Sequence, residues 1–236
     1  MGISLNSVIL LAAGRSTRFG PDRVKTLAPL AGKPLVMHSL LRFLEHPDVD
    51  EVVLVTPPGQ DLPWRNFLLR DLPSPKLRAA VGGGEERQDS VRSGLAAISR
   101  DSRLLLIHDA ARPLVPASLI GEVLKAAALH GAALPVVPPT DTVKQLEGDL
   151  VGATLERDRL GLAQTPQGFR TEVYRDALAR ADQAGVKATD DVALVERVGQ
   201  RVAWVQGAWE NLKVTTPGDL AFLEWWLSQP AEEPRA

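Results

Sequence analysis

No cysteine occurs among the 236 residues of this sequence. A disulfide framework, a thiolate metal site and a cysteine nucleophile are therefore excluded. An excess of charge of either sign is missing too, because 27 basic and 29 acidic residues leave a net charge of -2. This balance argues against a general binding surface for nucleic acid or another polyanion. A cluster of positive charge in such a chain is local, and it indicates a local anionic ligand.

Long apolar runs are also lacking. The apolar stretch nearest the start, Val8–Ala13 (VILLAA), is too short to cross a bilayer, and no basic region precedes it. We interpret it as the first strand of a core rather than as a signal peptide. A cytoplasmic location without membrane contact is the expectation that follows.

Short apolar, β-branched runs alternate with helical patterns along the chain. The predicted strands are Ser7–Ala12, Glu51–Thr56, Lys76–Val81, Arg103–His108, Ala132–Val137 and Arg201–Gln206. The predicted helices are Pro34–Glu45, Gln88–Ser99, Ser118–Leu129, Thr171–Ala184, Asp190–Val198 and a last one capped by Thr216 with Pro217 at its first position. The strands are continuously apolar, as in a parallel sheet that is covered on both faces.

This alternation predicts an α/β fold with a single Rossmann-like, doubly wound, mostly parallel sheet. We expect one domain over residues 1–236, with a frayed polar tail from about residue 230. Ligands of such sheets bind beyond the carboxyl ends of the strands. The loops that follow Ala12, Val81, His108 and Val137 are therefore the ones expected to carry function.

The segment from Pro138 to Asp158 interrupts the alternation, since it has two glycines and no long helical period. Strands over Thr142–Leu146 and Leu150–Leu155 would form a protruding hairpin, or β-arm. The segment is too long for a simple connection within a compact domain. We therefore expect the arm to serve as a dimer contact or a lid.

A basic loop follows the first strand, in the stretch LAAGRSTRFGPDRVKT from Leu11 to Thr26. Its small residues let the backbone approach a ligand closely, so that exposed N–H groups can hold phosphate oxygens. Arg18 and Lys25 supply positive charge. The loop has neither the Walker pattern nor GxGxxG. The alternative interpretation is a basic loop that merely faces solvent.

Two further stretches carry candidate chemistry. In GGGEERQDSVRSGL, from Gly82 to Leu95, a glycine run precedes Ser90 at a helix start and could bind a nucleobase or ribose. In HDAARP, Asp109 ends a strand at the ligand edge, where a carboxylate suits Mg²⁺. Arg112 is close enough in sequence to meet an acceptor phosphate. The alternatives are a capped strand-to-helix turn for the first stretch and an Asp–Arg structural ion pair for the second.

Taken together, these motifs resemble a known family. AAG followed by Arg18 and Lys25 looks like the signature of the sugar-nucleotidyltransferase superfamily. With GGxER, DSV, HDAARP, DTVK, QTPQ, a Thr-Asp-Asp that begins at Thr189, and NLKVT, the chain closely resembles the 2-C-methyl-D-erythritol 4-phosphate cytidylyltransferases, from Val8 to the last helix. Two departures occur in the basic loop, where Ser16 and Val24 replace the expected glycine and proline.

The resemblance implies transfer of a cytidylyl group from CTP to 2-C-methyl-D-erythritol 4-phosphate, with release of pyrophosphate, in the non-mevalonate isoprenoid pathway. Arg18 and Lys25 match the cations of the transition state. Arg157 and Lys213 match the residues that position the acceptor phosphate. The resemblance also implies a homodimer in which the arm carries Arg157 into the partner's site.

The remaining positions match substrate contacts of that family. Those on the acceptor side are Asp109, Arg112 and Thr142, and Asp109 also matches a position near the ribose and the expected Mg²⁺. Those for cytidine and the triphosphate are Ala12, Ala13, Gly14, Gly84, Glu85 and Ser90.

Elementary chemistry is consistent with such a site. A phosphate monoester has a second pKa of about 6, so the nucleophile is mostly ionised at neutral pH and needs no general base. Neutralisation and in-line alignment are the main requirements. Two alternatives stay open: a cytidylyltransferase for another alditol phosphate such as ribitol 5-phosphate, and a non-catalytic nucleotide-binding module. A dinucleotide-dependent oxidoreductase is disfavoured, because GxGxxG is absent.

Overall fold

The computed structural model describes residues 5–14, 19, 25–60, 64, 66, 70, 72–188 and 190–229. The predicted cation Arg18, the departures Ser16 and Val24, Thr189 and the predicted tail lie outside these described residues. Within them, no helix is both long enough and apolar enough to span a membrane.

The centre of the molecule is a mostly parallel sheet, as predicted. Its strands are β1 (Leu5–Leu11), β4 (Glu51–Thr56), β5 (Leu77–Gly82), β6 (Ser102–Asp109), β7 (Ala132–Val137), β10 (Leu162–Ala163), β11 (Gln167–Arg170) and β12 (Ala203–Gln206). Their order is β10-β7-β11-β6-β1-β4-β5, with β12 parallel to β7. The antiparallel members, β10 and β11, were not predicted.

Two short hairpins lie outside this sheet. One pairs β2 (Pro29–Leu30) with β3 (Lys33–Pro34). The other pairs β8 (Lys144–Glu147) with β9 (Leu150–Thr154), which is the hairpin expected in the arm. The residues of β8 are all exposed, and those of β9 are exposed apart from the half-buried Gly152.

The six helices whose bounds lie within the described residues fall within a few residues of the predicted bounds. They are α1 (Leu35–Leu44), α2 (Arg87–Ala97), α3 (Ala117–His130), α4 (Thr171–Gln183), α5 (Asp191–Arg197) and α6 (Pro217–Ser228). Thr216 caps α6 as predicted, because its hydroxyl accepts a hydrogen bond from the backbone N–H of Asp219 at 3.3 Å.

Both faces of the sheet are covered, which explains why its strands are apolar throughout. Val8 and Leu10 of β1 point to the face packed by α1 and α3. Ile9 and Leu11 point to the opposite face, packed by α2, α4 and α5. The side chains of a strand alternate between faces, so a doubly covered strand needs an apolar residue at every position. Loops at the carboxyl ends of β1, β5 and β6 are thereby held on one rigid edge.

Candidate active site

A cavity of about 320 Å³ opens at this carboxyl edge of the sheet. It lies where the segments that follow β1, β5 and β6 meet the loop before α6. Eight of the residues that the sequence singled out line it: Ala13, Gly14, Lys25, Gly84, Glu85, Ser90, Asp109 and Lys213. Residues from five separate stretches of the chain are thus brought to one concave site, in the place expected for this fold.

The glycine run after β5 packs closely against its neighbours. A Cβ atom on Gly83 would lie 2.6 Å from the Ser90 hydroxyl oxygen and 2.7 Å from the Cβ of Ala13. The Ser90 hydroxyl accepts from the N–H of Gly84 at 3.2 Å and donates to the carbonyl of Glu86 at 3.2 Å. The missing side chains therefore let two loops approach each other, and Ser90 holds the turn that forms one wall of the cavity.

Asp109 is the last residue of β6 and pairs with cations on two sides. Its Oδ2 lies 2.7 Å from Lys213 Nζ, and its Oδ1 lies 3.7 Å from a terminal nitrogen of Arg87. Burial by itself would raise the pKa of Asp109, but the Lys213 ammonium and the Arg87 guanidinium outweigh it and hold that pKa well below its ordinary value. Asp109 is therefore an ionised carboxylate in the wall of the cavity.

Arg87 continues this chain of charges into the interior. Its other terminal nitrogen lies 2.6 Å from Oδ2 of Asp191, and the Tyr174 hydroxyl donates to Oδ1 of Asp191 at 2.7 Å. The side chain of Asp191 is only 2% exposed. Burial alone would lower the pKa of Arg87, but Asp191 and Asp109 raise that pKa by more than burial lowers it. The guanidinium therefore stays charged. Burial raises the pKa of Asp191, and Arg87 opposes that rise.

His108 orders the backbone next to Asp109. Its Nε2 lies 3.1 Å from the carbonyl oxygen of Arg112, and its Nδ1 lies 2.9 Å from the Thr165 hydroxyl. The Arg112 carbonyl can only accept, so Nε2 is protonated and donates to it. In a neutral ring Nδ1 is then the acceptor, and the Thr165 hydroxyl donates to it while accepting from the N–H of Asp109 at 3.1 Å. Burial lowers the pKa of His108 to about 4, so the ring is neutral.

The loop that carries Lys213 is held by buried amides. Asn211 is fully buried, and its side-chain nitrogen donates to the Thr165 carbonyl at 2.8 Å and to Gln164 Oε1 at 3.1 Å. The Arg112 guanidinium donates to the Asn211 carbonyl at 2.8 Å. Burial lowers the pKa of Arg112, whose Nε has no hydrogen-bond partner among the described residues. These bonds place Lys213, two residues further on, at the cavity wall.

Some predicted residues do not line the cavity in this single chain. The Ala12 N–H donates to the carbonyl of Val55 at 2.7 Å, so it is committed to the sheet. Arg112 is turned toward Asn211. Thr142 is exposed on the arm, and Arg157, at the base of the arm, donates to the carbonyl of Thr140 at 2.9 Å. Arg18 lies outside the described residues.

The sequence motifs indicated no role for four residues: Arg87, Asp191, Thr165 and Asn211. Each nevertheless lies within one of the motifs, which are GGGEER, Thr-Asp-Asp, QTPQ and NLKVT. The sequence did not show which side chains these residues contact, because the partners come from stretches that are far apart along the chain.

Metal ligands are sparse in the described part of the chain, where no group of three or more His, Cys, Asp or Glu side chains is arranged to hold an ion. A Mg²⁺ ion in a nucleotide site needs only one or two carboxylates, because substrate phosphates and water complete its octahedron. The ionised Asp109 carboxylate at the cavity wall fits that requirement.

Comparisons with known proteins agree on one family. The model of the 2-C-methyl-D-erythritol 4-phosphate cytidylyltransferase (IspD) family matches residues 6–229. A curated protein of that name from Syntrophotalea carbinolica is 39% identical over 226 residues, which cover 95% of this chain and 97% of the relative. One from Pelotomaculum thermopropionicum is 43% identical over 92% of each chain. The crystal structure of the Thermus thermophilus enzyme of that name matches with a TM-score of 0.76 and 35% identity, over 93% of this chain and 97% of the other.

Proposed function

The chain belongs to the 2-C-methyl-D-erythritol 4-phosphate cytidylyltransferase family, and from this premise we propose which of its residues carry out the reaction. The enzyme transfers the cytidylyl group of CTP to 2-C-methyl-D-erythritol 4-phosphate in isoprenoid biosynthesis and releases pyrophosphate. The observation that carries the assignment of residues is the cavity at the carboxyl edge, where Lys25, Lys213 and Asp109 meet the glycine loops.

In the proposed reaction, an oxygen of the acceptor phosphate attacks the α-phosphorus of CTP. A new P–O bond forms as the bond to the bridging oxygen of the β-phosphate breaks, and pyrophosphate leaves with the electron pair. The attacking oxygen is already ionised near neutral pH, so no side chain has to remove a proton. Lys25 and Arg18 stabilise the charge that develops around the α-phosphorus.

The two substrates are assigned to different walls of the cavity. The turn formed by Gly84, Glu85 and Ser90 holds the cytidine, and the backbone around Ala13 and Gly14 holds phosphate oxygens. Lys213 draws in the acceptor phosphate as a mobile point charge. Arg112 and Asn211 support the loop that carries Lys213, so Arg112 acts on the acceptor side through that loop.

Mg²⁺ is the metal that we propose for this site, held by Asp109 together with phosphate oxygens of CTP. When bound, it neutralises negative charge on the triphosphate. Lys213 pairs with Oδ2 of Asp109 at 2.7 Å, so the lysine and a bound ion would share one carboxylate. Chelation of the divalent ion is expected to abolish turnover.

A homodimer is the second part of the proposal. The arm exposes Leu146, Leu150 and Val151. Exposed apolar side chains grouped on one hairpin are typical of an interaction site. Pairing of two arms would bring Arg157 of one protomer to the acceptor side of the partner's cavity. We also propose a cytoplasmic location, because the reaction uses CTP as a substrate.

One assay tests the assignment of the acceptor. Purified protein is incubated with CTP, Mg²⁺ and either 2-C-methyl-D-erythritol 4-phosphate or ribitol 5-phosphate, and pyrophosphate release is measured. We expect rapid release with the first acceptor and little with the second. The reverse result would assign the chain to another alditol phosphate, and release with neither would favour a non-catalytic nucleotide-binding module.

A further inference from the structure

Arg87 lies between two carboxylates that belong to distant parts of the chain. It is the first residue of α2, whereas Asp109 ends β6 and Asp191 begins α5. Its guanidinium approaches both, at 3.7 Å from Asp109 and 2.6 Å from Asp191. With Lys213 at 2.7 Å from the far oxygen of Asp109, the four side chains alternate in charge from the cavity into the interior.

The two cations of this row differ in how firmly they are held. The side chain of Lys213 is 41% exposed and borders the open part of the cavity, and Asp109 is its ion-pair partner. Arg87 is held from the interior by Asp191, which in turn accepts from Tyr174 and whose backbone N–H donates to Gln167 Oε1 at 3.1 Å. Lys213 is therefore the cation that can turn to a ligand, while Arg87 stays in place.

This difference matters for Asp109, whose side chain is 14% exposed. An ionised carboxylate at such a position is unfavourable unless a cation stays beside it. When Lys213 turns to an anionic ligand, Arg87 stays beside Asp109, together with the Mg²⁺ proposed there. Without Arg87, the Asp109 carboxylate would lose one of its two ion-pair partners and would hold Lys213 more strongly.

We propose that Arg87 is a positioning residue, which keeps Asp109 neutralised and in place so that the Lys213 ammonium is free to take up the acceptor phosphate. This inference rests on the proposed role of Lys213 in binding the acceptor. An arginine suits the position, because its planar guanidinium stays charged and presents separate N–H groups to two carboxylates at once.

Direct binding of CTP by Arg87 is the competing explanation, since its side chain also lines the cavity. The two explanations predict that different substrates bind more weakly. If Arg87 binds CTP directly, its removal should raise KM for CTP. A residue that acts through Lys213 would, on removal, raise KM for the acceptor and lower kcat, with CTP binding nearly unchanged.

The first variant avoids a bare charge in the interior. Arg87→Leu combined with Asp191→Asn removes both charges of the buried pair and keeps an oxygen that accepts from Tyr174. Arg87→Gln removes the cation alone and keeps a side chain that still donates hydrogen bonds to Asp191. Arg87→Lys keeps a cation. Arg92→Leu is the matched control, because Arg92 is on the same helix but forms its ion pairs with Asp89 and Asp182 outside the cavity.

We expect the double variant and Arg87→Gln to lower kcat/KM for the acceptor by about 10- to 100-fold, the usual range for groups that orient a ligand-binding residue. KM for CTP should change by less than about threefold. Arg87→Lys should recover most of the loss, and Arg92→Leu should match the wild type. Wild-type constants for the acceptor in either charge-free variant would overturn the inference, as would a loss confined to CTP.

Lys213→Ala, measured in parallel, separates this inference from the function on which it rests. If Lys213→Ala weakens acceptor use while the Arg87 variants behave like the wild type, only the role of Arg87 is wrong. If Lys213→Ala itself keeps wild-type constants, the proposed role of Lys213 is wrong and the inference falls with it.

Discussion

Lys25 illustrates what a single cation does at this site. It begins a short 3₁₀ helix, Lys25–Leu27, and its side chain borders the same cavity as Gly14 and Gly84. A positioned cation is most useful where charge develops during reaction, because it then stabilises the transition state more than the bound substrate. The glycine-rich backbone, rather than Lys25, is expected to hold CTP in its ground state.

Lys25→Ala is therefore expected to lower kcat by about 100- to 1,000-fold, as does loss of one positioned donor in oxyanion-type sites. The dissociation constant for CTP, measured by calorimetry without acceptor, should change far less. Lys125→Ala, an exposed lysine of α3 remote from the cavity, is the control. An unchanged kcat in Lys25→Ala would contradict the role given to this lysine.

His108 shows how a titratable residue can serve structure rather than catalysis. Its ring is fully buried, lies 4.9 Å from the ring of Phe43 and uses both nitrogens for hydrogen bonds next to Asp109. A protonated ring could not accept from Thr165, so protonation would break one of these bonds. The neutral ring therefore belongs to the support of the site.

The pH dependence of folding tests this interpretation. The unfolded chain binds a proton at His108 below pH 6.5, whereas the folded chain does so only below about pH 4. The titration of His108 therefore leaves the free energy of unfolding unchanged above pH 6.5. As the pH falls from 6.5 to 4, it lowers that free energy by about 3 kcal/mol in total. Urea unfolding should show this slope in the wild type and a weaker slope in His108→Gln. Equal slopes would argue against a neutral, buried His108.

At the scale of elements, the hydrogen bonds at the start of α6 stabilise this helix. The Thr216 hydroxyl accepts from the Asp219 N–H, while Asp219 Oδ2 accepts from the N–H groups of Thr215 and Thr216 at 2.7 Å each. These bonds satisfy backbone donors that a helix start leaves free. The helix packs Leu223 against Val214, directly after Lys213. A firm start of α6 thus helps to hold the loop that carries Lys213.

Thr216→Ala should lower the free energy of unfolding by about 1 kcal/mol, the typical cost of losing an N-cap side chain. Chemical denaturation would measure the change, and Thr216→Ser, which keeps the hydroxyl, should stay near the wild type. A loss of stability that is equal in both variants would show that the methyl group, and not the cap, is responsible.

Elements were predictable where a local pattern was long enough. The apolar period of Leu35–Leu44 and the continuous apolar run of Glu51–Thr56 both led to correct elements. The strand Gln167–Arg170 was missed, because QGFR has neither an apolar run nor an alternating pattern. It is a strand because it fills the space between β6 and β7 and pairs with both, which is a property of the assembled sheet.

At the scale of the whole molecule, the arm exposes apolar side chains on both strands of its hairpin. Leu146 and Val151 are opposite each other in the hairpin, and they are 72% and 65% exposed. Covering them in a dimer would remove apolar surface from water. The acceptor side of the cavity would at the same time gain Arg157.

If the proposed dimer forms through the arm, Leu146→Glu combined with Val151→Glu is expected to convert it to a monomer in sedimentation velocity. The change should also raise KM for the acceptor, because in the proposed dimer Arg157 acts in the partner's cavity. Leu129→Glu is the control, since Leu129 is equally exposed at the end of α3 and away from the arm. Persistence of the dimer in the double variant would contradict the role of the arm.

By itself, the sequence determined the alternation of strands and helices, the edge of the sheet where the cavity lies, the β-arm and the family, because these depend on local periods and on motifs of neighbouring residues. Only the tertiary structure decided that Arg87 lies between Asp109 and Asp191, and that Arg112 turns to Asn211. Those contacts join residues from separate elements in a buried environment. Burial and ion pairing arise when the sheet and its helices pack together, and no local pattern specifies which distant charges will meet.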